Sequence, residues 1–116
     1  DGTFIPHERL TFPAEPARSY AYCSDTRYTP RLAEMIQGVD LLYHEATFPH
    51  EMLTQAQKTM HSTSIEAAMM AKSAGAAKLL IGHYSARIKN ESPLLEEAKR
   101  VFPNTILAQE GVKIRI

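Results

Sequence analysis

An α/β fold with a mainly parallel sheet covered by helices is predicted by three features of this chain. Two short apolar runs, residues 39–43 and 78–82, have the length and composition of buried strands. Two cap-plus-proline pairs, Thr29-Pro30 and Ser92-Pro93, mark helix starts. Signals of the two kinds alternate along the chain, which is the pattern of parallel strands joined by crossover helices.

Residues 1–18 hold Pro6, Pro13 and Pro16 without clear periodicity and read as an extended approach segment ahead of a domain at 19–116. Residues 19–23, Ser-Tyr-Ala-Tyr-Cys, form a short aromatic-rich strand. Thr29 caps the first helix, Pro30 fills its first position, and Gly38 stops it. The second strand, 39–43, is an apolar run broken only by Asp40. Residues 48–60 read as a loop with a short helix at 51–58. Thr63-Ser64-Ile65-Glu66 is a capping box, which opens an Ala- and Met-rich helix ending near Gly75. The third strand, 78–82, follows. Ser92-Pro93 opens another helix, and Phe102-Pro103 closes it. Strands at 105–108 and 112–116, joined by a tight turn at Gln109-Glu110-Gly111, complete the chain. No internal repeat or low-complexity tract is present.

The 116 residues are enough for one domain with a real core, and 44% hydrophobic with 22% charged is ordinary globular composition. Lys plus Arg and Asp plus Glu are 13 each. That balance excludes a strongly basic nucleic-acid module, though not a local cationic patch. A single cysteine, Cys23, excludes an internal disulfide and suits a reducing, cytoplasmic setting. No apolar run reaches membrane-spanning length. The start, Asp1-Gly2-Thr3, has neither an initiator Met nor a signal pattern, and reads as the interior of a longer protein.

Polar groups able to bind metal or move protons cluster where apolar runs end, and strand ends are where rigid backbone meets open space. Asp25 follows the first strand. Its carboxylate either caps a turn or bridges two metal ions. His83 follows the third strand, as an edge histidine or as a metal ligand through a neutral ring nitrogen. Glu45 ends the second strand and His61 precedes the capping box. A carboxylate neighbour holds an imidazole in one tautomer and favours its protonated form, which suits a general acid. Alternatively, His61 is an exposed residue before the cap and Glu45 makes a structural ion pair. Arg87 is either a solvated surface residue or a planar fork for phosphate.

Taken together, Ser24-Asp25-Thr26, His44-Glu45-Ala46-Thr47, His61-Ser62-Thr63 and His83-Tyr84-Ser85-Ala86-Arg87 resemble, in that order, the C-terminal half of the ribonuclease Z family. These are tRNA 3′-processing endonucleases of the metallo-β-lactamase superfamily. The resemblance implies an αβ/βα sandwich with a mixed sheet covered by helices, of which this chain supplies one half. It implies a site for two zinc ions, with Asp25 and His83 as metal ligands. It gives Glu45 and His61 the delivery of a proton to the leaving oxygen. Ser62, Thr63, Ser85 and Arg87 become substrate-binding residues, and precursor tRNA becomes the substrate. A homodimer and an N-terminal half of the same protein are the implied partners. No His-x-His-x-Asp-His run occurs, so the chain carries too few ligands for a catalytic metal site alone. Two other readings remain open: a related superfamily hydrolase acting on another phosphodiester or ester, and a non-catalytic α/β interaction module.

Overall fold

A computed structural model describes residues 17–109, together with Gly111 and Lys113. Of the approach segment expected at 1–18, residues 1–16 lie outside the described residues, as does the strand expected at 112–116 apart from Lys113.

Strand β1 (Tyr20–Cys23) leads to helix α1 (Pro30–Met35) and strand β2 (Leu41–Glu45). A 3-10 turn (His50–Met52), α2 (Leu53–Lys58) and α3 (Ser64–Ala74) follow. Strand β3 (Lys78–Gly82), α4 (Ser92–Val101) and β4 (Thr105–Leu107) complete the order. The four strands lie in the order β1-β2-β3-β4 and every pair is parallel. The described sheet is therefore parallel rather than mixed.

Strand-to-strand register puts Ala21, Leu42, Leu79 and Thr105 side by side, with Cys23, His44, Ile81 and Leu107 two residues further along. This is the face that the helices cover. Ala67, Ala68, Met70, Ala71 and Ala74 of α3 are completely buried. Such small side chains let α3 approach the sheet closely while α1 and α4 pack beside it. The opposite face carries Tyr20, Tyr22 and Tyr43. Tyr22 stacks on Tyr43 with ring centroids 4.6 Å apart. A Cβ at Gly82 would stand 2.5 Å from the Tyr43 hydroxyl, so a larger residue at the end of β3 would have to displace the Tyr43 ring.

Helix α3 begins as expected. Thr63 accepts from the Glu66 N–H at 3.2 Å, and Glu66 accepts from the Thr63 N–H at 3.0 Å. Gly75 ends it at φ 64, a left-handed conformation that glycine adopts without penalty. Three boundaries differ from expectation. Helix α1 stops at Met35, and the chain turns through Ile36 and Gln37 before Gly38. Helix α4 starts at Ser92 itself, with Glu91 in the cap position. Strand β2 starts at Leu41, two residues late, because Asp40 is used at the entry: its carboxylate accepts from the Ser19 N–H at 2.7 Å. The strand also extends past Tyr43, through His44, and ends at Glu45. Among the described residues, no helix is long and apolar enough to cross a membrane.

Candidate active site

The carboxyl end of the parallel sheet gathers four segments: 24–27 after β1, 45–48 from β2, 60–63 before α3, and 83–87 after β3. Backbone hydrogen bonds lace them together. Ala46 N–H donates to Gly82 O at 2.7 Å, Thr47 N–H to Ser62 O at 3.0 Å, and Ser85 N–H to Thr47 O at 2.9 Å. Phe48 and Thr63 form a parallel bridge.

Glu45 is the hub and its side chain is completely buried. Its oxygens accept from the Thr26 N–H, from the Ser62 N–H at 3.1 Å, from the Thr47 hydroxyl at 2.5 Å and from His61 Nδ1 at 2.9 Å. Every partner is a donor, so the pocket is built for a carboxylate. Burying that charge is tolerated because its acceptor positions are filled.

The same network fixes two histidine tautomers. His61 Nδ1 faces a carboxylate and carries the hydrogen, leaving Nε2 for other chemistry. Thr47 has one hydroxyl hydrogen and gives it to Glu45. His83 Nδ1, 3.1 Å from Thr47 Oγ1, must therefore donate to that oxygen. The lone pair of His83 then lies on Nε2, as a metal ligand requires.

Asp25 and His83 converge on His61. Asp25 Oδ1 lies 3.7 Å from His61 Nδ1, and the His61 and His83 ring centroids are 5.4 Å apart. Ligand-capable atoms of Glu45, His61 and His83 also lie within 4.8 Å of one another. Distance alone would make those three a metal site, but Glu45 is saturated by donors and His61 Nδ1 is committed to it. The free donors are the Asp25 carboxylate, 79% exposed, and His83 Nε2. Both are open to solvent, and a carboxylate and an imidazole are donor types that divalent cations accept.

Three non-glycine residues among those described have positive φ: Asp25 at 56°, Met60 at 59° and His83 at 59°. All three lie in these loops, one immediately before His61. A left-handed L-residue costs about 1–2 kcal/mol. The strain is thus confined to the segments that carry the candidate chemistry.

Ser62 and Thr63, expected to contact substrate, are completely buried and used internally. Ser62 Oγ donates to Thr26 O at 2.6 Å, and Thr63 Oγ1 caps α3 and lies 2.8 Å from His50 Nδ1. These bonds tie the segment after His61 to the Asp25 loop and to His50. Ser85 Oγ accepts from the Arg87 N–H at 3.2 Å, and Arg87 lines an open hollow with Lys89, Asn90 and Glu51. Thr47 was not singled out by sequence reasoning, although its hydroxyl links Glu45 to His83. The available signal was its place two residues after Glu45, on the same side of an extended chain. His44 points away from the site into the helix-covered core, where its Nδ1 donates to the Glu45 carbonyl at 2.8 Å. Burial lowers its pKa from the ordinary 6.5.

Comparison with known proteins bears on the fold and the sequence relationships of the chain. No family model matches the chain. Over 85% of its length the chain superposes on 40% of the metallo-β-lactamase fold protein YhfI of Bacillus subtilis, with a TM-score of 0.76 at 28% identity. Over 72% of its length it matches 28% of the short form of human tRNase Z, with a TM-score of 0.55 at 28% identity. The fold is therefore that of the metallo-β-lactamase class. In sequence, the chain is 56% identical over 114 residues to ribonuclease Z of Porphyromonas gingivalis, and 52% identical over 116 residues to ribonuclease Z of Bacteroides fragilis. These alignments cover 98% and 100% of the chain, so the chain is similar to ribonuclease Z along the whole segment it spans. It spans 38% of the length of each of those two relatives.

Proposed function

We propose that this chain is the C-terminal part of a metal-dependent endoribonuclease that removes 3′ trailers from precursor tRNA. The observation that carries the reading is the hydrogen-bonded Glu45–His61 pair, with the Asp25 carboxylate 3.7 Å from His61 Nδ1 and the His83 ring centroid 5.4 Å from that of His61. The names of the relatives support the substrate class, and the hydrogen-bond geometry supports the division of labour that follows.

Asp25 and His83 would hold metal together with ligands from an N-terminal half of the same protein. Zinc suits a mixed carboxylate and imidazole donor set. When bound, a pair of such ions supplies ionised water at neutral pH and offsets phosphate charge. Glu45 holds the His61 Nδ1–H and fixes its ring. As an imidazolium, His61 would give its Nε2 proton to the departing 3′-oxygen and return to the neutral Nδ1–H form, a role worth about 10²–10⁴ in rate. Thr47 holds His83 in the ligating tautomer. Arg87, beside Ser85, meets RNA phosphates on the far side of the histidines. A homodimer and a cytoplasmic location belong to the same proposal.

The test is cleavage of precursor tRNA by a full-length protein, this chain joined to the upstream region of the Porphyromonas gingivalis relative. With zinc, the trailer is released and the tRNA keeps a 3′-hydroxyl. His61→Ala slows cleavage by about 10² or more while bound zinc is unchanged. A full-length protein that binds zinc but cuts only other phosphodiesters would overturn the substrate. Zinc lost on His61→Ala would make that residue a ligand instead of an acid.

A further inference from the structure

A cavity of about 570 Å³ opens beside His61, lined by Arg27, Tyr28, Arg31, Gln57 and Glu66. That volume falls in the ~300–1,000 Å³ range of small-ligand sites. Its charge is distinctive. Among the described residues, no ion pair is formed by Arg27 or Arg31. The one acid in the wall, Glu66, is already bonded to the Thr63 N–H at 3.0 Å. Tyr28 packs partly against the core, so its ring is a supported platform on an otherwise polar wall. Two unneutralised guanidinium groups, an aromatic ring and a free-standing amide make a donor set for one nucleotide: phosphate, base face and base edge.

We propose that this cavity seats the nucleotide on the 5′ side of the cut, the one whose 3′-oxygen leaves, with Tyr28 against its base and Arg27 and Arg31 on its phosphate. The assignment rests on the proton-donor reading of His61. The oxygen that His61 protonates belongs to the upstream nucleotide, and His61 forms one wall of the cavity. The trailer side then falls to the other hollow, about 380 Å³, lined by Arg87 and Lys89. The residue immediately before the cut is thus read by stacking, which is tolerant of base identity but intolerant of a missing base.

The experiment measures binding of a mature tRNA ending at that nucleotide, by fluorescence anisotropy in EDTA, to the full-length protein. A second RNA lacks only the last base. Tyr28→Leu is expected to weaken binding of the intact RNA about 10-fold and to leave the abasic RNA unchanged. Tyr28→Phe keeps the wild-type preference for the intact RNA. The double variant R27A/R31A, at exposed positions, weakens both RNAs and flattens the dependence of affinity on salt. Equal losses on the two RNAs for Tyr28→Leu would overturn the seating of the base. Should Tyr28→Leu fail to fold, R27A/R31A decides: unchanged affinity and salt dependence overturn the subsite. Failure of the nuclease reading looks different, because the wild-type protein would then neither cut nor bind tRNA.

Discussion

Asp25 and His83 owe their positions to backbone that L-residues avoid. Both sit at the ends of strands with φ near +60°, where the Cβ crowds the following carbonyl. Aspartate tolerates this better than most residues, histidine somewhat so, and glycine fully. Asp25→Gly should therefore be more stable than Asp25→Ala by about 1 kcal/mol, although both lose the same carboxylate. Urea midpoints of the two variants compare them directly, and equal midpoints would mean the loop relaxes. This strain could not be read from the sequence, because a left-handed aspartate is imposed by what surrounds it. The residue types themselves were legible: a carboxylate and an imidazole after apolar strands, in the order of a known family. Thr47 was not, since a threonine next to a strand end looks like ordinary strand composition until its single proton is traced to Glu45.

At the level of elements, helix starts were the most legible features. The Thr63 and Glu66 capping box rests on purely local hydrogen bonds, so four residues are enough to specify it. Here the cap does more than begin a helix. Thr63 Oγ1 also engages His50 Nδ1, and the cap fixes the residues that directly follow His61. Thr63→Ala should lower stability by about 1–2 kcal/mol, with Thr63→Ser recovering most of it. Thermal melts of the two variants test this; a wild-type melting temperature for Thr63→Ala would remove the cap from the account. Strand limits were harder. The apolar run that starts at Val39 gave no sign that Asp40 would be spent on Ser19, so β2 is displaced by two residues. The strand also runs two residues further than expected, so Glu45, its last residue, is paired in the ladder opposite Gly82.

For the whole molecule, the helix-covered core includes a titratable group, His44, completely buried behind the site. Its burial lowers the pKa below 6.5, so the folded protein resists the proton that the unfolded chain accepts. The group's contribution is present above pH 6.5 and is lost as pH falls toward the lowered folded value, so stability declines on acidification. His44→Asn should flatten that decline relative to wild type between pH 7.5 and about 5, measured by urea unfolding at each pH. Parallel slopes would show that other groups carry the acid response. A different consequence follows from the saturation of Glu45. The amides of Thr26 and Ser62 belong to two separate loops, yet both terminate on one anion. Solvent hydrogen should reach these loop amides as slowly as it reaches the centre of the ladder. The segments bearing Asp25 and His61 then open together or not at all, and one carboxylate acts as the latch for both.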